Sequence, residues 1–257
     1  MNIAAVPKPT IDPFGFPVAG ELDGIDRAGI TEVSLLLLHS FGVTMPQVVE
    51  NAGRSLALLA RQRYFGGNAE AHSVVVLAGD GNIGASVLTA ARRMLNWGTS
   101  VQLMTSRTQR ASLGLASRQL AVLARLGITP QMPPETTPDL ILDGLTGYEP
   151  DLSPGGCSAQ LIEWANACAA PVLAFESPAG VFSRRNGKPA IRADATLMVG
   201  MPKTQLMDPA AADQTGALYL ADISIPPSLW QSLTHPLRAP CFARGDILRL
   251  LRPGEAM

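Results

Sequence analysis

Short apolar runs alternate with longer amphipathic stretches along the middle of the chain. The runs have the length of strands and are apolar at successive positions, which is typical of strands buried on both faces of a sheet. They occupy Ser73 to Ala78, Ser100 to Met104, Asp139 to Asp143, Pro171 to Phe175, Ala195 to Val199 and Leu218 to Ile225. Helical stretches lie between them, near Ala85 to Trp97, Arg110 to Leu126 and Ala159 to Ala169. This alternation predicts right-handed crossovers and an α/β fold with a mostly parallel sheet covered on both faces.

Two more helices are predicted before the first strand. Thr31 followed by Glu32 is typical of a helix start, the apolar run over residues 35–38 continues the helix, and Gly42 ends it. In residues 46–64 the apolar side chains recur at helical spacing, and the leading proline suits a first helical turn. We therefore expect these helices to form an N-terminal cap.

One domain is the expectation from length and composition. A chain of 257 residues, 47% of them apolar, is long enough to bury one large core. We place that domain at residues 25–228. Residues 1–24 are rich in proline and glycine and predict an irregular arm that wraps the domain or a second subunit. Residues 229–257 form a tail whose pattern predicts no element.

The charge balance favours a small-molecule partner. The 20 Lys and Arg residues nearly cancel the 21 Asp and Glu residues, so no broad field is available to attract nucleic acid or an anionic membrane. The chain has no run of about 18 consecutive apolar residues, the length that a membrane span needs. Cys157, Cys168 and Cys241 are an odd set without metal-ligand spacing, and we interpret them as small core residues of a cytoplasmic protein.

Unusual residues follow four of the predicted strands, where ligands bind in open α/β sheets. Gly79–Gly84 fits G-x-G-x-x-G directly before a helix, a pattern in which glycines let phosphate approach free backbone N–H groups. Asp143 to Gly147 follows the third strand, Glu176 to Gly180 the fourth, and Gly200 to Lys203 the fifth. We expect two carboxylates, one ammonium and a glycine-rich turn to meet at one edge of the sheet.

Each of these features also has a simpler interpretation. The glycine pattern occurs often by chance, and residues 104–107 after the second strand offer no acid for the ribose hydroxyl of an ordinary dinucleotide site. Asp143 and Glu176 could each cap a loop, and Lys203 could be a surface charge. Two acids at neighbouring strand ends favour a functional site over these readings.

An ordered set of motifs makes the sequence similar to the N-terminal domain of the YjeF proteins, the NAD(P)H-hydrate epimerases. Glu50 to Arg54 (E-N-A-G-R) is similar to the family's helix motif, and the loop from Gly79 resembles G-P-G-N-N-G-G-D-G. Further matches follow in order at Leu142–Leu145 (V-D-A-L in the family), Glu176–Gly180 (D-I-P-S-G), Arg192–Thr196 (R-A-D-x-T), Gly200–Lys203 (G-A-P-K) and Ala221–Pro226 (A-D-I-G-I-P). The likeness covers roughly residues 25–228, and the family's often fused dehydratase domain has no counterpart in this sequence.

The resemblance implies a Rossmann-like three-layer αβα sandwich, usually dimeric, that interconverts the two epimers of hydrated NADH or NADPH. Carried onto this chain, it implies Glu176 and Lys203 as the catalytic residues, with Asp143 and Lys203 tuning the charge of the site. The implied substrate-binding residues are Gly79, Gly81, Asn82, Ile83, Gly84, Ala85, Ser86 and Gly147.

The family also holds a potassium ion through an Asn, an Asp and a Ser, at positions that are Ile83, Asp143 and Ala179 here. Only the aspartate keeps a side-chain oxygen for a hard cation, so the resemblance predicts a degenerate potassium site at Asp143. Glu176 stands where the family has an aspartate. Two functions therefore stay open, an epimerase-like isomerase and a non-catalytic nucleotide-binding module, with a conventional dehydrogenase as a third.

Overall fold

The computed structural model describes residues 10–106, 114–147, 156–182 and 188–255, and these build a seven-stranded sheet. The spatial order of the strands is β2-β1-β3-β4-β5-β6-β7, with every neighbouring pair parallel except β6 and β7. The strands are β1 Ser73–Ala78, β2 Ser100–Thr105, β3 Leu140–Gly144, β4 Val172–Phe175, β5 Ala195–Val199, β6 Ala217–Ala221 and β7 Ile247–Leu250. The predicted mostly parallel sheet is confirmed.

Helices cover both faces of the sheet. They are α1 Arg27–His39, α2 Met45–Tyr64, α3 Gly81–Asn96, α4 Leu115–Arg125, α5 Cys157–Ala167, α6 Thr204–Met207, α7 Ala212–Thr215 and α8 Pro227–Gln231, with a short 3-10 turn at Pro209–Ala211. The helices α2, α3 and α4 pack on one face, and α5 packs on the other. The predicted three-layer αβα sandwich is therefore confirmed. The predicted helix over 110–126 is observed from Leu115, and residues 110–113 lie outside the described residues.

Successive side chains of β1 show why the strands are apolar throughout. Val74 and Val76 enter the core beneath α2 and α3, whereas Val75 and Leu77 enter the core beneath α5. All four are at most 2% exposed. A strand covered on both faces has no position left for a polar side chain, so its sequence does not alternate.

Two predicted boundaries differ from the observed ones because of local hydrogen bonds. Helix α1 begins four residues before Thr31, since the Asp26 side chain caps it by accepting from the Gly29 N–H at 2.9 Å. Strand β6 ends at Ala221 instead of Ile225. There the Asp222 carboxylate accepts from the Ser224 N–H at 2.7 Å and turns the chain out of the sheet.

The N-terminal arm and the C-terminal tail both extend the sheet. The tail supplies β7, which pairs antiparallel with β6 and is only four residues long, too short for a recognisable pattern. The arm runs beside β7: the Arg249 N–H donates to Pro17 O at 2.8 Å, and the Ala19 N–H donates to Arg249 O at 2.9 Å. The arm therefore packs on its own domain.

A buried carboxylate fastens the arm. Asp12 Oδ1 accepts from the backbone N–H groups of Phe14 and Phe16 at 2.9 Å and 2.8 Å. The Tyr219 hydroxyl donates to Asp12 Oδ2 at 2.7 Å and accepts from Arg63 at 2.9 Å. Burial and the neighbouring Asp12 raise the pKa of Tyr219 above its usual range, so the phenol stays a hydrogen-bond donor.

The cysteines are not the core residues that we expected. Cys157, at the start of α5, and Cys241, in the tail, are exposed. Cys168, just after the end of α5, is half-buried. All three are free thiols. Within the described ranges no helix has the length and apolar character of a membrane span.

Replacing the Tyr219 hydroxyl by hydrogen, in Tyr219→Phe, should lower the free energy of unfolding by about 1–3 kcal/mol, because Asp12 Oδ2 then lies buried without its donor. Urea denaturation of the parent and the variant measures this. A change below about 0.5 kcal/mol would show that the arm is held by its backbone contacts instead.

Candidate functional site

A cavity of about 810 Å³ runs along the carboxyl ends of the parallel strands. Residues that follow each of the six parallel strands line it: Ser106 after β2, Asp80 and Gly81 after β1, Thr146 and Gly147 after β3, Glu176 after β4, Met201 and Lys203 after β5, and Ile223 and Ile225 after β6. Its volume lies in the range of small-molecule sites. The cavity therefore lies at the sheet edge that the sequence predicts.

The glycine-rich turn contributes only part of its length to the cavity surface. Gly81, Asn82, Ile83 and Ser86, all in the first turns of α3, line the cavity. Ser86 is nevertheless nearly buried, and its hydroxyl donates to Asn82 O at 2.9 Å. Free N–H groups at a helix start favour an anion, so this end of the cavity suits phosphate.

Gly79 and Gly84 do not line the cavity and lie in close contact with neighbouring backbone. A Cβ at Gly79 would lie 1.9 Å from the Leu145 carbonyl oxygen, and a Cβ at Gly84 would lie 1.9 Å from the carbonyl oxygen of Gly79. These glycines let three backbone segments pack together beneath the cavity. Ala85, which follows, is fully buried. The first and last glycines of the pattern G-x-G-x-x-G are thus required by internal packing.

Asp143 lies below the cavity floor and is fully buried. Its Oδ1 accepts from the Leu145 N–H at 3.1 Å, and its Oδ2 accepts from the Ala179 N–H at 2.8 Å. Burial raises the pKa of Asp143 to about 6, although the two backbone N–H groups act in the opposite direction. The carboxyl group joins the loops after β3 and β4, and the structure does not bring it to the cavity surface.

The three positions to which the sequence resemblance assigns a potassium ion offer few free oxygen ligands in this structure. The Ile83 side chain packs over Gly147, whose Cβ would lie 2.4 Å from Ile83 Cγ1. Ala179 is fully buried and has no side-chain oxygen. Both oxygens of Asp143 already accept backbone hydrogen bonds. These residues therefore do not fit a potassium ion, which needs several oxygen ligands.

Glu176 and Lys203 form a buried ion pair on the cavity wall. Lys203 Nζ lies 2.8 Å from Glu176 Oε2 and 3.1 Å from Oε1, and it donates to Val199 O at 2.8 Å. The Val199 N–H donates to Glu176 Oε1 at 2.7 Å. Glu176 is 7% exposed and Lys203 is 3% exposed, so water contributes little to the solvation of either charge. The structure brings together two of the predicted site residues.

The backbone of Glu176 is strained. Its φ is +65°, in the left-handed region that glycine favours and that costs a residue with a Cβ about 1 kcal/mol or more. Its N–H donates to Leu197 O at 2.8 Å and so continues the pairing of β4 with β5. The carboxylate is thereby turned from the end of β4 into the cavity, at the sheet edge that the sequence predicts, although the left-handed backbone was not predicted.

Sequence reasoning also missed one whole wall of the cavity. Helix α1 contributes Ile30, Val33 and Leu37, and α8 contributes Trp230. Their apolar character is equally compatible with core packing, and Trp230 lies in the tail, where no element was predicted. Only the fold shows that these side chains face the site.

Comparison with known proteins assigns the family. The family described as YjeF-related protein N-terminus matches residues 46–205, more than half of the chain. The chain belongs to this YjeF N-terminal family. The matched YjeF N-terminal range contains the glycine-rich turn, Asp143, Glu176 and Lys203, whereas α1 and α8 lie outside it.

Two similar proteins have lengths close to that of this chain. The chain is 33% identical over 246 residues to a protein of Dehalogenimonas lykanthroporepellens named NAD(P)H-hydrate epimerase, covering 93% of each chain. It is 30% identical over 208 residues to a protein of the same name from Rhodopirellula baltica, covering 77% of this chain and 82% of the relative. The crystal structure of the yeast protein ynu0 superposes with a TM-score of 0.68 at 18% identity, covering 89% of this chain and all of that one, and shows the same fold.

If Gly84 is required by internal packing, Gly84→Ala should lower the free energy of unfolding by about 3 kcal/mol or more, since its methyl group meets the Gly79 carbonyl. Gly81→Ala is the matched control: Gly81 has a φ of +75° but no atom within 4 Å of its Cβ position, so we expect a loss of about 1 kcal/mol. Chemical denaturation compares the two. Equal losses would contradict this account of the turn.

Proposed function

We propose that this protein is an NAD(P)H-hydrate epimerase-like isomerase that interconverts the epimers of hydrated NADH or NADPH. The observation that carries the proposal is the Glu176 carboxylate, which is held at the cavity wall by Lys203 and Val199 in spite of a strained backbone. Strain at a group that lines a cavity is typical of functional sites. The names of the relatives support the same activity.

The cavity suggests how the substrate binds. We place the diphosphate over Gly81 and Asn82, where the first N–H groups of α3 favour an anion. Thr146 and Ser106 at the neighbouring strand ends offer hydroxyl groups beside it. One end of the dinucleotide then extends toward Glu176, so that the hydrated carbon of the nicotinamide ring comes next to the carboxylate.

The hydrogen bonds give Glu176 and Lys203 different roles. Lys203 Nζ donates to Glu176 Oε1 and to Val199 O, and it lies 2.8 Å from Glu176 Oε2. Glu176 Oε1 accepts hydrogen bonds from the Val199 N–H and from Lys203, whereas Oε2 lies 2.8 Å from Lys203 Nζ and accepts from no other residue that the structure describes. Glu176 Oε2 is therefore our proposed acid or base at the hydrated carbon, and Lys203 positions the carboxylate.

We further propose that the protein works without a bound potassium ion. The side chains at positions 83 and 179 offer no oxygen, and the Asp143 carboxylate is engaged by two backbone N–H groups. A hard monovalent cation at this place would have to break those hydrogen bonds. The positive charge of the site is then supplied by the ammonium group of Lys203.

We propose a cytoplasmic homodimer as the working form. Three free cysteines, two of them exposed, are compatible with a reducing compartment. Leu35 and Leu38 of α1 are 54% and 42% exposed and provide adjacent apolar surface, which homodimer interfaces bury.

Glu176→Gln should slow epimerisation by about 10²-fold or more, because the amide cannot exchange a proton as the carboxyl group does. Glu176→Asp is the matched variant: it keeps a carboxylate and restores the residue of the family motif, so we expect it to retain measurable activity. Chromatography of the two epimers of hydrated NADPH gives the rates, with buffer as the blank.

Binding of NADPH by calorimetry and thermal unfolding are measured on the same variants, because replacing one partner of a buried ion pair can unfold a protein. A parent that binds nucleotide but is no faster than buffer contradicts the isomerase proposal. The protein would then be a non-catalytic nucleotide-binding module on this scaffold.

Restoring the missing oxygens tests the potassium proposal. The double variant Ile83→Asn, Ala179→Ser should gain a melting temperature that rises with potassium chloride but not with sodium chloride, since a ligand of the native state stabilises it by mass action. The parent should respond equally to both salts. A potassium-specific rise of similar size in the parent would show that it binds the ion.

A further inference from the structure

The polarity of the cavity changes systematically along the sheet edge. The end beside β2, β1 and β3 is polar, with Ser106, Asn82 and Thr146. The ion pair of Glu176 and Lys203 lies at the ends of β4 and β5, in the middle of this order. Four strand spacings, about 19 Å, separate β1 from β6. An extended ligand of about this length would contact the polar end, the ion pair and the opposite end of the cavity.

The end beside β6 is apolar. Ile30, Val33 and Leu37 of α1 line it together with Met201 and Trp230. Among the described lining residues, the charged ones are Asp80, Glu176 and Lys203, and none of them comes from α1 or α8. A charged group would lose its hydration in this zone without gaining a partner, so the zone suits an uncharged ring.

This apolar wall lies next to the ion pair. The indole of Trp230 lies 3.7 Å from the Cβ position of Gly200, and Gly200 directly follows Val199, whose N–H and carbonyl bind Glu176 and Lys203. The backbone of Lys203 also forms a bridge with Ile25, another lining residue. A ring that contacts Trp230 is therefore close to the Glu176 carboxylate.

The wall is built as a unit of its own. The residues Ile25, Val33, Leu37, Met201, Leu229, Trp230 and Leu233 form a hydrophobic cluster that is separate from the main core. Glu32 on α1 joins the tail by accepting from the Thr234 N–H at 2.7 Å. Both helices of the wall lie outside the range that matches the family.

We propose that the wall formed by α1 and α8 is the specificity element for the uncharged ring of the substrate, with Trp230 as its main contact. The proposal rests on the proposed function for the identity of the ring, which is the hydrated nicotinamide ring. The phosphate end binds at the start of α3, the reacting carbon lies at Glu176, and the ring packs against Trp230 and Met201. The two helices that contribute most to this contact, α1 and α8, lie outside the range that matches the family.

Two half-ligands test this by calorimetry without turnover. Reduced nicotinamide mononucleotide carries the uncharged ring and a phosphate but no adenosine, whereas ADP carries phosphates and adenosine but no nicotinamide. Trp230→Ala should raise the Kd of the mononucleotide about tenfold or more and leave that of ADP unchanged. Trp230→Phe, which keeps an apolar ring, should restore most of the affinity.

Leu229→Ala is the matched control, because Leu229 is fully buried in the same helix and the same cluster but does not line the cavity. It should leave both Kd values unchanged.

Equal weakening by Leu229→Ala and Trp230→Ala would overturn the proposal, since the wall would then act only through stability. Selective loss of ADP binding in Trp230→Ala would also overturn it, because the wall would then hold the adenine. Both outcomes are read from Kd values and do not depend on epimerisation. Failure of the proposed function is detected separately, by the epimerisation rates of the parent and the Glu176 variants.

Discussion

The buried ion pair between Glu176 and Lys203 is the interaction on which the organisation of the site depends. Two charges removed from water are tolerated only when their hydrogen-bonding capacity is met, and here Val199 meets it through both its N–H and its carbonyl. This requirement fixes the ends of β4 and β5 relative to each other. It also accounts for the left-handed backbone of Glu176, because the carboxylate reaches Lys203 from a turn that glycine would adopt more readily.

The floor beneath the ion pair is held by backbone contacts instead of a cation. Gly79 and Gly84 let the turn after β1 pack against the loop after β3, and Asp143 connects that loop to Ala179 through two N–H groups. The Asp143 carboxyl has no solvent exposure, and burial raises its pKa to about 6, so it is still mostly ionised at neutral pH and joins the loops as a hydrogen-bond acceptor. The loops after β3 and β4 are thus joined by hydrogen bonds to the Asp143 carboxyl.

Elements from both ends of the described chain complete the domain. The arm is held to β7 by ladder hydrogen bonds and by the buried Asp12 carboxylate, and the tail provides both β7 and the indole of Trp230. Because α1 and α8 contact each other in a separate hydrophobic cluster, the apolar wall of the cavity can vary without disturbing the sheet. The scaffold and the apolar end of the cavity are therefore largely independent.

The sequence by itself determined the sheet, the strand ends at which the site lies and the residues of the ion pair. This was possible because a continuous apolar run indicates a strand that is buried on both faces of a sheet. Parallel strands also bring their carboxyl ends to one edge of the sheet, where ligands bind. It did not determine which predicted residues face the cavity: Asp143, Gly79 and Gly84 lie beneath its surface, where hydrogen bonds and close backbone packing place them. Strand β7 and the wall around Trp230 were decided only by tertiary structure, since a four-residue strand and a single buried indole have no periodic pattern and derive their position from contacts distant in sequence.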